Sequence, residues 1–108
     1  MNTRYADCIE ACQACVVACH HCAASCLREP EVEHMKRCIA LDMDCAAMCE
    51  LAVGAMSRLS EKAGDVCRLC AEFCELCAAE CRNHRAEHCQ ACAKACQHCA
   101  ERCREMIA

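Results

Sequence analysis

The chain has 108 residues, of which 19 are cysteine and only fifteen are leucine, isoleucine, valine or phenylalanine. That apolar content is too low for an ordinary core of large side chains, so cohesion has to come from sulfur. The net charge of −4 gives no basic surface for nucleic acid, and no run of about 18 apolar residues predicts a membrane span. We therefore expect neither nucleic acid nor a membrane among its partners.

A high cysteine content is also typical of small secreted proteins held together by disulfides. The first residues, MNTRYADC, have no apolar segment or cleavage motif of a signal peptide, and an odd number of cysteines leaves one thiol unpaired. The chain also has only two glycines and one proline, too few for a loop-rich scaffold. These features predict a cytoplasmic protein whose clustered thiols bind metal or take part in redox chemistry.

The spacing of the cysteines predicts helices. Within each block the steps alternate between three and four residues, which is a heptad pattern with cysteine at both buried positions. A strand would need a period of two. The cysteines are Cys8, Cys12, Cys15, Cys19, Cys22, Cys26, Cys38, Cys45, Cys49, Cys67, Cys70, Cys74, Cys77, Cys81, Cys89, Cys92, Cys96, Cys99 and Cys103.

The first two predicted helices are separated by a proline. The first helix, about 4–27, carries six cysteines, and Pro30 favours a break shortly after it. The second helix, about 31–56, carries three cysteines, with Asp42 on the same face. A buried carboxylate is costly unless it is paired, so Asp42 either lines the core or is turned to solvent by a rotation of the helix.

The last two predicted helices share one five-cysteine pattern. The third, about 61–82, follows a serine-containing break, and the fourth, about 86–105, follows Asn83. Four helices joined by short connections predict one all-α domain over 1–108. Its expected architecture is an antiparallel up-down-up-down four-helix bundle with a cysteine-lined core.

The chemistry of such a core favours Cu(I). Small thiols fill little space, so metal–thiolate bonds are expected to supply cohesion. Cu(I) is soft and prefers thiolate, and cysteines four residues apart, such as Cys8 and Cys12, can flank one ion. One Cu(I) in place of one thiol proton leaves the core neutral, whereas divalent ions at that ratio bury a large positive charge. We predict many ions per chain, on the order of one Cu(I) per cysteine.

The cysteine pattern is that of a known family. The runs CIEACQACVVACHHCAASC, CIALDMDCAAMC, CRLCAEFCELCAAEC and CQACAKACQHCAERC recur along the chain between residues 8 and 103. In them the chain resembles the bacterial copper storage proteins, four-helix bundles lined with cysteines that hold many Cu(I) ions. Exported members carry a twin-arginine signal peptide, so this chain is similar to the cytosolic branch. That resemblance implies a homotetramer of bundles.

The two ends of the predicted bundle differ in their side chains. The histidine end, where the first and third connections lie, carries His34, His84 and His88 beside Cys26, Cys38, Cys81 and Cys89. The opposite, methionine end carries Tyr5, Met56 and Met106, which favour an apolar plug. We expect Cu(I) to enter at the histidine end, where neutral imidazoles pass it to the first thiolates. The predicted metal ligands are these three histidines and all nineteen cysteines.

Other functions remain open on the sequence alone. A metallothionein-like buffer for zinc or other soft metals uses the same ligands, and a thiol redox protein uses one exposed, low-pKa pair. A copper chaperone needs one exchangeable site. No phosphate-binding loop or nucleophile motif is present, so we expect no enzymatic activity. The protein that donates or accepts the metal is unknown.

Overall fold

A computed structural model describes residues 3–107, so residues 1, 2 and 108 of the domain predicted over 1–108 lie outside it. A short 3-10 helix, Thr3–Tyr5, leads into the first long helix. The four long helices are α1 (Ala6–Cys26), α2 (Lys36–Ser57), α3 (Ala63–Arg82) and α4 (Glu87–Glu105), with a second 3-10 helix (Val32–Met35) before α2.

The four helices form a closed antiparallel ring. Helix α1 packs against α2 and α4, and α3 packs against the same two helices. The molecule measures 44 × 18 × 18 Å, so it is a rod with its axis along the helices. This arrangement confirms the predicted all-α four-helix bundle. None of the helices described here is both long and apolar enough to cross a membrane.

The connection between α1 and α2 differs from the prediction. The second helix was predicted from residue 31, but the α-helix begins at Lys36 and a 3-10 helix occupies Val32–Met35. Because Pro30 cannot donate a backbone hydrogen bond, the chain leaves α1 through a turn and winds tightly before it continues as α-helix. This tighter winding changes the direction in which residues 32–35 project.

The turn between α2 and α3 closes the methionine end. Leu59 has a φ of 55°, the left-handed conformation that usually ends a helix at glycine. The N–H of Ser60 donates to the carbonyl of Ala55 at 2.9 Å, and the N–H of Leu59 donates to the carbonyl of Met56 at 3.1 Å. This pair of hydrogen bonds is the Schellman motif, which satisfies the last carbonyls of α2.

The core contains almost no large side chains. Cysteines fill its centre, and buried alanines such as Ala46, Ala71 and Ala78 lie beside them at the helix contacts. Small side chains at these positions let the helices approach closely enough for sulfurs on opposite helices to touch. The helical frame therefore positions a column of thiols along the axis of the rod.

Candidate metal centre

All nineteen cysteines line the interior of the bundle as free thiols. None is more than 1% exposed. Each long helix contributes one stripe, because the three-four spacing keeps every cysteine on the face towards the axis. The four stripes together form a continuous column of sulfur, which we call the thiol column.

Near the methionine end the column joins sulfurs across the bundle. The Sγ atoms of Cys8 and Cys103 are 3.6 Å apart, and Cys99 donates its S–H to Cys12 at 3.5 Å. In the middle of the rod, Cys45 contacts both Cys15 at 3.7 Å and Cys74 at 3.6 Å. These contacts link all four helices through sulfur.

The predicted pairs four residues apart are only part of this network. Five of them, from Cys15 with Cys19 to Cys92 with Cys96, have Sγ–Sγ distances of 3.8–4.0 Å. The contacts between helices are equally close, with Cys38 and Cys81 at 3.6 Å. A metal ion in the column is therefore offered sulfurs from several helices, rather than one isolated pair.

The sulfurs also gather in groups of four. Within each group every Sγ lies within 4.8 Å of the others, a spacing that places them around shared metal ions. Some groups have members in common, since Cys49 and Cys99 belong to two of them. Three of the groups are Cys12, Cys49, Cys70 and Cys99; Cys15, Cys19, Cys45 and Cys96; and Cys22, Cys26, Cys38 and Cys89.

Burial favours the neutral thiol form of Cys26 and Cys89, at the histidine end of the column. It raises the pKa of Cys89 to about 11 and also raises the pKa of Cys26, because a thiolate in this interior has lost its hydration. A soft metal that binds here therefore has to displace thiol protons.

Asp42 lines the column, which decides between the two orientations left open by the sequence. The side chain is fully buried. Its Oδ1 accepts hydrogen bonds from the thiols of Cys77 at 3.2 Å, Cys92 at 3.4 Å and Cys81 at 3.5 Å, and its Oδ2 accepts one from Cys38 at 3.9 Å. Desolvation raises the pKa of Asp42 to about 8. The half of the rod nearer the histidine end thus contains a carboxyl group among its sulfurs.

His88 is the histidine that reaches the thiol column. Its ring is 14% exposed, and its Nδ1 lies 3.5 Å from the Sγ of Cys89, 3.6 Å from that of Cys22 and 3.9 Å from that of Cys26. Its Nε2 lies 2.9 Å from Oε1 of Glu29. The imidazole therefore stands between a carboxylate and the last sulfurs of the column.

His84 lies beside it in a cleft at the same end. Its Nε2 is 2.7 Å from Oε2 of Glu80, which also accepts a hydrogen bond from Arg37 at 2.7 Å through Oε1. The cleft has a volume of about 660 Å³ and includes His84, His34 and Met35 in its lining. It gives solvent a concave surface above the thiol column.

The structure does not bring His34 to the sulfurs. Its side chain is 73% exposed, and its Nδ1 lies 3.1 Å from a carboxylate oxygen of Glu31. The tight 3-10 winding of Val32–Met35 turns this residue away from the axis. Its predicted role in copper uptake stays a prediction.

Sequence reasoning missed the carboxylates that hold the histidines. The pairing of Glu80 with His84 has a visible signal, since the two residues are four apart, with Glu80 in the last turn of α3 and His84 just beyond its end. The pairing of Glu29 with His88 joins residues 59 positions apart and leaves no local signal.

The methionine end is closed by apolar groups. Met56 is buried, and Tyr5 and Met106 are half-buried against the core. The connection there is the compact turn at Leu59, so the backbone also covers this end. The two ends of the column consequently present different chemistry to solvent.

Solved structures of metal-binding bundles resemble this one along their whole length. The Cu(I)-bound copper storage protein BsCsp3 matches with a TM-score of 0.95 and 50% identity, covering 98% of this chain and 100% of that chain. A cytosolic copper storage protein from Streptomyces lividans, described with five coppers, matches with a TM-score of 0.93 and 39% identity. That match covers 96% of this chain and 92% of the Streptomyces chain.

Sequence relatives agree with this likeness. An uncharacterized cysteine-rich protein of Bacillus subtilis, YhjQ, is 52% identical over 65 residues, which span 60% of this chain and 60% of that protein. A family model described as copper storage protein matches residues 1–108. The chain therefore belongs to the copper storage protein family.

Proposed function

We propose that this protein stores Cu(I) within its thiol column, at a capacity on the order of one ion per cysteine. The observation that carries the proposal is the single buried network formed by nineteen free thiols. Each Cu(I) replaces one thiol proton, which leaves to water, so the interior stays neutral as it fills. Because neighbouring groups share sulfurs, each thiolate bridges ions, and the ions are held by several helices at once.

The shared sulfurs favour Cu(I) over zinc. A structural zinc ion takes four ligands of its own, and four thiolates around one Zn²⁺ leave two negative charges. Groups that have Cys49 and Cys99 in common cannot both hold such an ion. A zinc or general soft-metal buffer is therefore limited to a few ions in this column, whereas bridging Cu(I) uses every sulfur.

Cu(I) enters, in this proposal, at the histidine end. Support comes from His88, whose Nδ1 is within 4 Å of three sulfurs, and from His84 in the cleft beside it. An imidazole that binds the arriving ion in the cleft passes it to Cys89, Cys22 or Cys26 over a short distance. The buried Met56 at the opposite end argues against a second route.

The proposal also includes the cellular location, the oligomeric state and the absence of catalysis. The Streptomyces lividans relative is described as cytosolic, which supports a cytoplasmic location for this chain. We propose a homotetramer, as the family resemblance implies, and a storage role without catalysis. A thiol redox enzyme needs an accessible thiol pair, and all the cysteines of this chain are buried.

Anaerobic titration with Cu(I) tests the capacity. The reduced protein should withdraw Cu(I) from a coloured chelator until the ratio approaches one ion per cysteine. A matched titration with Zn²⁺, followed by addition of Cu(I), should show release of any bound zinc. Saturation at only a few Cu(I) ions per chain contradicts the proposal, and so does zinc that Cu(I) does not displace.

A further inference from the structure

We propose that Glu29 is a positioning residue for copper uptake: its carboxylate keeps the proton of neutral His88 on Nε2, so that the lone pair of Nδ1 faces the thiol column. The inference rests on the proposed function and assigns a role to a residue outside the cysteines and histidines. It is carried by the contacts on the two sides of one imidazole ring.

The hydrogen bonds on the ring define its protonation state. A carboxylate only accepts hydrogen bonds, and a neutral imidazole carries one N–H. With Oε1 of Glu29 at 2.9 Å, Nε2 is the nitrogen that carries the proton. Nδ1 is then an acceptor, and it lies 3.5 Å from the Sγ of Cys89 and 3.6 Å from that of Cys22. Carboxylates fix histidine metal ligands in the same manner in many proteins.

The backbone holds Glu29 where this contact requires it. Glu29 lies in the turn that follows α1, and its N–H donates to the carbonyl of Cys26 at 3.1 Å. His88 is the second residue of α4. The contact therefore ties the α1–α2 connection to the start of α4 across the opening of the column, with Cys26 and Glu29 presented to the same ring by one turn.

The other two histidines at this end are held differently. Glu80 bonds His84 from the same stretch of chain and is shared with Arg37, so that pair does not span the opening. His34 uses Nδ1, rather than Nε2, for its contact with Glu31. Among these three histidines, His88 with its partner Glu29 is the one that directs an unprotonated Nδ1 at sulfur.

With Nδ1 already unprotonated, metal transfer needs no loss of a proton from the imidazole. A Cu(I) ion that reaches Nδ1 finds a lone pair and not an N–H, so the imidazole neither gains nor loses a proton. The ion then replaces the proton of one thiol, for example that of Cys89, and this proton leaves to water. Without Glu29, the imidazole of His88 also populates the tautomer with the proton on Nδ1, or the ring flips. Part of the molecules then present an N–H to the ion.

The tautomer is measured in the metal-free protein by ¹⁵N NMR of the histidine rings, at a pH where His88 is neutral. The His88 signals are assigned by their loss in His88→Ala. We expect the Nε2–H form in the native protein, a mixture of tautomers in Glu29→Ala, and partial recovery in Glu29→Gln, whose carbonyl oxygen still accepts. A native ring with the proton on Nδ1 overturns the proposal, and so does a ring that Glu29→Ala leaves unchanged.

Uptake is measured by stopped-flow with less than one equivalent of Cu(I), delivered from a chelator. We expect Glu29→Ala to slow the transfer of the first ions about threefold, because only part of the mixed tautomer population keeps the competent ring, and His88→Ala to slow it more. The matched control is Glu33→Ala, which removes an exposed carboxylate near the same end that pairs with Lys36. Equal slowing in both variants assigns the effect to surface charge and overturns the proposal, as does an unchanged rate in Glu29→Ala.

The storage of Cu(I) and the positioning role of Glu29 are tested by different measurements, so each can be contradicted without the other. The total capacity for Cu(I) tests storage, and Glu29→Ala should keep the full capacity because it removes no thiol. A low capacity in the native protein contradicts storage but leaves the metal-free NMR result standing. A full capacity with no effect of Glu29 on tautomer or rate contradicts only the positioning role.

Discussion

The two ends of the rod terminate the same thiol column in opposite ways. At the histidine end, His88 lies between a carboxylate and three sulfurs, and His84, held by a second carboxylate, lines an open cleft. At the methionine end, Met56 is buried and the turn at Leu59 satisfies its own backbone carbonyls. The sulfurs are alike throughout, so the difference between the two ends comes from the groups that cap the column and from the carboxyl group of Asp42 within it.

The largest expected effect concerns that carboxyl group. Asp42→Asn should stabilise the metal-free protein at alkaline pH by up to about 6 kcal/mol, because the pKa of Asp42 is about 8 in the fold against an ordinary 3.8. The unfolded chain loses this proton first, so the native protein loses stability as pH rises from about 4 to about 8. A neutral amide has no such cost.

Denaturant unfolding of the reduced protein across this pH range measures the effect. The gap between Asp42→Asn and the native protein should be small near pH 4 and fully developed above about pH 8. Asp44→Asn is the matched control, since Asp44 is exposed on the same helix. Parallel pH profiles for the native protein and Asp42→Asn would show that the buried carboxyl group does not titrate as described.

The second effect concerns the closed end. Met56→Ala should lower the free energy of unfolding of the metal-free protein by about 2–4 kcal/mol, because it leaves a cavity in a tightly packed plug. The rate of Cu(I) uptake should stay unchanged in the folded variant. Met43→Ala, at an exposed position of the same helix, should change neither quantity. Faster uptake by Met56→Ala would indicate that metal also passes through the methionine end.

The smallest of the three effects concerns the histidines. Replacing His34, His84 and His88 by alanine should slow Cu(I) uptake about tenfold, which corresponds to about 1.4 kcal/mol in the barrier. Capacity should remain nearly intact because every thiol is kept. The control replaces the three exposed histidines His20, His21 and His98.

Stopped-flow transfer from a chelator measures both triple variants. Equal uptake rates for the two triple variants would show that Cu(I) does not enter at the histidine end. A large loss of capacity on replacement of His34, His84 and His88 would show that these histidines bind stored copper.

The spacing of the cysteines predicted the four helices and the face of each helix that is buried. The alternation of three and four residues is enough to place nineteen cysteines on inward helix faces, because helix geometry fixes which face each position occupies. The spacing did not determine whether Asp42 faces the core. Asp42 lies within the seven-residue step from Cys38 to Cys45, where no cysteine fixes the rotation of α2. The contacts with Cys77, Cys92 and Cys81 decide it.

The connections were harder to predict because they do not follow the heptad. His34 was expected beside the cysteines of the histidine end because the second helix was predicted from residue 31, and the 3-10 winding before Lys36 changes the direction of its side chain. Glu29 and His88 meet only because two connections lie at the same end of a bundle. A contact of that kind depends on tertiary structure, so no spacing in the sequence contains it.

The narrow, elongated shape of the bundle determines how its capacity for metal can increase. A hollow shell gains capacity with its volume, but a bundle of four helices, 18 Å across, gains it only along its axis. One more heptad in every helix adds about 10 Å of length and about eight cysteines. Because the storage sites are also the packing core, each lengthening adds cohesion and capacity together while the diameter stays constant.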